Sequence, residues 1–325
     1  MRAAYYEQNG RAADVLRVGE IDTPVPGPGE VRVKLKTSGI NPSDVKGRAG
    51  LTRKIAFARV VPHSDGAGEI DVVGAGVPQA RVGERVWTFN AQWKRASGTA
   101  AEYVVLPSHQ AVALPTSVNF DVGAGIGIPA MTAWYAVDLA LPAEGGTVFI
   151  PAGAGAVGNY AIQFAKARHA TVITTVSSDQ KAAIASQAGA DHVINYKTED
   201  VAQRIKEITD RAAVEAILEI DLGAGAKLWP AILRPHGTVV VYGTSASEHV
   251  IPAAFCLTNN ISIRFILVYE MSSAETERAT AAITKMLTEG RLVHNVAAAF
   301  PLDQIVSAHE AVERGAGGKV VLQIA

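Results

Sequence analysis

The sequence predicts an α/β protein: an irregular, mostly β domain, followed by a parallel sheet covered by helices on both faces. Three observations carry this. Up to about residue 120 the chain is punctuated by Pro and Gly and carries short alternating segments such as EVRVKLKTSGI and RVGERVWTFN. From about Asp121, long Ala-rich, helix-like stretches alternate with the short apolar runs TVFIPA, ATVITTV, HVINY, AILEI and TVVVYGT. Strands spaced by helices pair in parallel, because each crossover carries the chain back over the sheet. The ending KVVLQI is β-branched and reads as a strand that can rejoin the N-terminal domain.

A chain of 325 residues exceeds one comfortable core and suits two domains. Its 48% hydrophobic and 19% charged residues are those of a soluble globular protein. Lys and Arg total 30 against 31 for Asp and Glu, so neither charge balance nor any basic cluster predicts a nucleic-acid partner. MRAAYYEQNG lacks the pattern of a secretory signal, and the uncharged stretch from Val122 to Val137 contains Pro129 and suits a packed helix better than a membrane span. Cys256 is the only cysteine, which excludes an internal disulfide and leaves a cytoplasmic location as the expectation. No repeat, long linker or low-complexity segment interrupts the chain.

The most informative motif is GAGAVG, with Gly153, Gly155 and Gly158, inside TVFIPAGAGAVGNYAIQFAKARHA. A lone G-x-G-x-x-G is weak, and a plain tight turn is the bland reading. Here a strand-like run precedes it, a helix-like run follows it, and ATVITTV supplies the next strand. Glycines serve there because a Cβ holds the backbone away from a pyrophosphate whose charge is met by free N–H groups at the helix N-terminus. The turn residues Gly153, Ala154, Gly155, Ala156, Val157 and Gly158 are thus candidate dinucleotide contacts. At the end of the next strand, TTVSSDQK puts Ser177 and Ser178 where an NAD-selective site would carry an acidic residue, with Lys181 close by and Asp179 just beyond. Two hydroxyls and an ammonium favour the 2′-phosphate of NADPH. Ser177 and Ser178 also fit a helix N-cap, and the two roles are compatible.

The loop SGINPSDVKGRAG, residues 38–50, crowds Asn41, Ser43, Asp44, Lys46 and Arg48 behind a strand-like run. It can be an active-site rim, a metal site or a solvated turn. One cysteine excludes a four-cysteine zinc site, and the eight histidines form no pair three to five residues apart. A set built from His63, Asp65 and Glu69 is conceivable but poor in imidazole and thiolate ligands, so no metal is expected.

Together these segments resemble the medium-chain dehydrogenase/reductase superfamily, in its zinc-free quinone oxidoreductase branch, the relatives of ζ-crystallin. The resemblance is carried over nearly the whole chain by GINPSDVKGRAG, VPHSDGAGEIDVVGAGV, VGERVW, GTAAEYVVLP, GIGIPAMTAWYA, PAGAGAVGNYAIQFAK, SQAGADHVINYKTED and GGKVVLQI, in this order. Zinc-dependent members have a metal-binding cysteine where this chain has Asn41 and a histidine where it has Ser64, which agrees with the ligand count. The resemblance implies a GroES-like β domain at residues 1–121 and 262–325, with an inserted, doubly wound Rossmann domain at 122–261 that binds NADPH. It implies cofactor contacts at Asn41, the GAGAVG turn, Ser177, Ser178, Lys181 and Tyr196. Gly243, Leu267, Val268, Lys319 and Thr132 become neighbours of the nicotinamide or ribose.

Without a metal, hydride transfer suits an acceptor that is already electrophilic, and a quinone needs no Lewis acid. The protein then supplies chiefly proximity. Asn41 is the candidate catalytic donor to the nicotinamide or substrate oxygen, with a turn-capping role before Pro42 as the alternative. Asp44 is expected to hold the loop, since an ordinary carboxyl is ionised near neutral pH. Several quinone reductases have tyrosines after the Asn-Pro loop; here Lys46 and Arg48, with Phe57 beyond, are expected at the acceptor's way in. An alkenal or enoyl reductase is the competing activity. It often uses a tyrosine as proton donor, and none lies between Tyr6 and Tyr103. A non-catalytic NADPH-binding protein is the other alternative. A homodimer through the apolar NNISIRFILV segment is expected.

Overall fold

The computed structural model describes residues 1–141 and 145–324. The chain divides into two compact units, Met1–Pro129 with Thr280–Ala325, and Ala130–Ala279. Both form α/β structure with the GroES-like and Rossmann topologies expected, but the bounds differ from 121/122 and 261/262. Residues 122–129 stay with the first unit because the Ile128 N–H donates to Asp65 Oδ1 (2.8 Å). Residues 262–279 stay with the second because Ser262–Phe265 pairs in parallel with Leu233–Val241. Residues 142–144 of the expected nucleotide domain, and residue 325, lie outside the described residues.

In the first unit the strand Glu30–Ile40 is the hub. It pairs antiparallel with Asp65–Val73, Tyr103–Pro107 and the C-terminal Lys319–Gln323, whose Val320 stands opposite Ile40. The tail therefore does rejoin the N-terminal domain. Alternation along the hub turns Val31, Val33 and Leu35 inward, where they pack with Leu106, Val320 and Leu322. The chain then enters the helix Pro42–Ala49, with Asn41 at its N-cap and Pro42 at its first position, where proline's missing N–H leaves no bond unmade. Gly50 ends it in the left-handed region at φ 79°.

The second unit holds, among the described residues, six parallel strands in the order His192–Asn195, Thr171–Val176, Thr147–Ile150, Val214–Glu219, Leu233–Val241, Ser262–Phe265. Chain order reverses between Thr147–Ile150 and Val214–Glu219, and such a switch point opens a crevice at the carboxyl ends of the strands. Phe149, Ile173, Ile194, Ile217 and Trp229 fill its core. Burial on both sheet faces explains why these strands read as unbroken apolar runs.

The stretch from Val122 to Val137 lies within the helix Phe120–Ala140. Among the described residues no helix is long and apolar enough to cross a membrane.

Candidate functional site

The second unit gathers most of the expected cofactor residues at one edge. GAGAVG follows Thr147–Ile150, Ser177 and Ser178 follow Thr171–Val176, Tyr196 follows His192–Asn195, Gly243 comes just after Leu233–Val241, and Leu267 and Val268 come after Ser262–Phe265. All these strands run parallel, so each of these residues lies at or just beyond a carboxyl end. Tyr196 and Leu267 are exposed, while Val268 and Thr132, the latter inside Phe120–Ala140, are buried.

The three glycines of the turn are under different constraints. A Cβ at Gly153 would stand 2.2 Å from Thr174 Oγ1, and one at Gly158 2.4 Å from the Ala152 carbonyl, so packing within the chain demands glycine at both. At Gly155 the nearest atom would be the Ala152 carbonyl at 3.1 Å, a much looser approach than at the other two. The helix Ala156–Ala167 that starts behind Gly155 has no side-chain cap. Its neighbours do: Ser178 accepts from the Lys181 N–H (3.4 Å) and Asp200 from the Gln203 N–H (2.9 Å). A helix start with open N–H groups, beside a glycine with little internal need to be one, fits a bound pyrophosphate. Ser178 fulfils its N-cap role, and Ser177, Ser178 and Lys181 are all half-buried.

The first unit holds a different kind of cluster. Asn41, 2% exposed, donates from Nδ2 to Asp65 Oδ2 (2.8 Å) and accepts at Oδ1 from Lys319 Nζ (2.7 Å). Lys319 Nζ also donates to Asp65 Oδ2 (2.7 Å), forming a buried ion pair. The Asn41 backbone N–H donates to Asp44 Oδ2 (2.8 Å), so Asp44 ties the loop down. Burial, reinforced by the Asp65 charge and opposed by the Asn41 N–H, raises the Asp44 carboxyl to about 7. Asp44 is therefore not the ordinary carboxyl expected from its sequence.

Arg48 does not stand at an acceptor's way in. It is fully buried, donating to the Gly10 carbonyl and pairing with Glu313. The helix face that carries it turns into the unit, and a planar guanidinium satisfies two partners there. Lys46, on the same helix, is half-buried. Lys319, expected beside the nicotinamide, donates to both Asn41 and Asp65.

His63, Asp65 and Glu69 do not converge on a metal position. His63 Nδ1 pairs with Ser38 Oγ (2.8 Å) and its Nε2 with His309 Nε2 (2.9 Å). Ser38 continues to Thr99, which donates to the Asp65 carbonyl. Burial holds both imidazoles neutral, with His309 lowered to about 3. Among the described residues no three His, Cys, Asp or Glu side chains stand ready to hold a metal ion. Sequence reading weighed Asp65 only as a metal ligand and missed His309; no local spacing announces partners that lie 254 and 246 residues away.

Comparison with known proteins agrees with this architecture. The family described as zinc-binding dehydrogenase matches residues 156–285, and the alcohol dehydrogenase GroES-like domain matches residues 27–116. A quinone oxidoreductase of Pseudomonas aeruginosa is 33% identical over 237 residues, 72% of this chain and 70% of that protein. A solved NAD-dependent alcohol dehydrogenase superposes with a TM-score of 0.91 at 29% identity, covering all of both chains. Escherichia coli quinone oxidoreductase, solved in complex with NADPH, gives 0.87 at 25% identity, also over both full chains. The chain thus belongs to the medium-chain dehydrogenase/reductase superfamily, in its quinone oxidoreductase branch.

Proposed function

We infer that the protein is an NADPH-dependent reductase of quinones that works without zinc. The observation that carries this is the uncapped helix behind GAGAVG, together with two hydroxyls and an ammonium at the end of the next strand. Bound NADPH supplies the hydride. The backbone N–H groups from Ala156 to Gly158 receive the pyrophosphate, with Gly153, Ala154 and Gly155 shaping the turn. Ser177, Ser178 and Lys181 take the 2′-phosphate: two hydroxyls follow directly on the strand end, and Asp179 comes only after them, at the start of the next helix. Tyr196, Gly243, Leu267, Val268 and Thr132 line the rest of the nucleotide site.

Asn41 serves as hydrogen-bond donor to the nicotinamide or acceptor oxygen, and Lys46 remains the candidate residue on the acceptor's path. The quinone oxidoreductase relatives and the NADPH complex of the Escherichia coli protein support this choice of cofactor and acceptor. The likeness to an NAD-dependent enzyme makes the strand-end residues decisive. We also infer a cytoplasmic homodimer. Ser262–Phe265 is a terminal strand of its sheet and Phe265 is 68% exposed, an open edge that a second copy can pair with.

Reduction of an alkenal or enoyl C=C bond is a second reading. Asp44, raised to about 7, offers a carboxyl that holds a proton near neutral pH, a feature the sequence did not reveal. NADPH oxidation measured against 1,4-benzoquinone, a phenanthrenequinone, a 2-alkenal and a crotonyl thioester, with NADH as control, separates the readings. Quinone turnover is expected to dominate. Preference for the thioester would favour the second reading, and tight NADPH binding without turnover on any acceptor would leave a binding protein.

A further inference from the structure

Asn41, Asp65 and Lys319 form a closed triangle whose chemistry allows one arrangement. The two ends of a carboxamide have nearly the same shape, so packing alone does not orient it. Here one end meets an ammonium, which only donates, and the other a carboxylate, which only accepts. A flipped amide would set its oxygen against Asp65 and its NH2 against Lys319, losing both bonds. The two charges pair with each other, and Asp65 Oδ1 is held in turn by the Ile128 N–H. Neighbouring glycines keep the space: a Cβ at Gly39 would stand 2.7 Å from Lys319 Cε, and one at Gly127 2.2 Å from Asp65 Oδ1. The second hydrogen on Asn41 Nδ2 is the donor that this triangle leaves unspent.

We propose that Lys319 and Asp65 are positioning residues: they lock the Asn41 carboxamide in one orientation and so present its remaining N–H to the oxygen of the acceptor or nicotinamide. This rests on the role given to Asn41 under the proposed function. Lys319 is 4% exposed and acts through Asn41, not as a cofactor contact. Preorganising a donor in this way lowers the reorganisation needed during the reaction and shows in kcat more than in binding.

The double variant Lys319→Met/Asp65→Asn removes both charges together, so no lone charge is left buried. It is expected to bind NADPH within about threefold of wild type while kcat with 1,4-benzoquinone falls about tenfold or more. In the nucleotide-free protein, isotope-edited NMR of the Asn41 side-chain amide is expected to show solvent exchange at least about tenfold faster in the variant. Asn41→Leu, close in shape but without the donor and without a new charge, should lose a comparable factor in kcat, with no further loss when combined with the double variant.

A double variant with kcat within about twofold of wild type, or with an unchanged Asn41 amide, overturns the proposal. So does a loss confined to NADPH affinity, which would make Lys319 a cofactor contact. Failure of both variants to fold would assign the triangle to stability alone and also overturn it. If the wild type turns over no acceptor, the functional reading fails, and the nucleotide-free amide measurement still decides the locking.

Discussion

Behind Gly155 a helix starts with N–H groups that no side chain caps, whereas around Asn41 the polar groups of three residues are matched donor to acceptor and sealed from solvent. The first region leaves backbone donors open at a helix start, and the second leaves only one hydrogen of Asn41 Nδ2 outside its bonds. The difference separates two sorts of functional residue. A ligand-receiving backbone can lie in one short stretch, because a turn and a helix start are local. A preorganised side chain needs partners from other strands, and Asn41 and Lys319 are 278 residues apart.

The contrast predicts different failures. Lys319→Met alone strands the Asp65 carboxylate in the core and should cost about 3–5 kcal/mol by denaturant unfolding, with much of it recovered on adding Asp65→Asn. If the single variant lost under about 1 kcal/mol, the pair would not be sealed as described. Gly153→Val should destroy the turn, lowering both the melting temperature and NADPH affinity, because a side chain there runs into Thr174. Gly155→Ala is the sharper case. It should leave the melting temperature within about 2 °C of wild type and weaken NADPH by about tenfold or more in a fluorescence titration. Equal effects at 153 and 155 would show that the chain itself, and not a ligand, demands the second glycine. Lys181→Glu should weaken NADPH by about tenfold and leave NADH nearly unchanged, and equal losses would remove Lys181 from the 2′-phosphate.

The smallest effects are on pH dependence. His63 and His309 have folded-state pKa values below the ordinary 6.5, His309 at about 3. The unfolded chain therefore binds more protons, and the stability present above about pH 6.5 drains away as pH falls towards 3. Asp44 runs the other way: raised from 3.8 to about 7, its contribution is full below 3.8 and lost as pH rises through 7. Melting curves should show the acid fall in both proteins, steeper in Asp44→Asn between about pH 4 and 7, where the raised Asp44 pKa opposes it in the wild type, with no difference in slope above about pH 8.

Much of the fold was legible because its signals are periodic. The parallel strands appear as apolar runs at regular spacing, the glycine turn sits between two of them, and KVVLQI ends the chain as a strand. The domain bounds were misjudged where tertiary contacts decide: Ile128 hydrogen-bonds Asp65, and Ser262–Phe265 pairs with the strand before it. In the loop of residues 38–50, Arg48 was misplaced because a buried and an exposed arginine look alike in sequence. Its partner Glu313 lies 265 residues away. The Asp44 pKa was equally hidden, since burial, not neighbours in the chain, raises it.

The most direct test is the steady-state rate of 1,4-benzoquinone reduction by the purified protein with NADPH and, separately, NADH. The account predicts kcat/KM at least about tenfold higher with NADPH, a preference abolished by Lys181→Glu. Equal or better turnover with NADH, or no turnover with either despite NADPH binding, would contradict it.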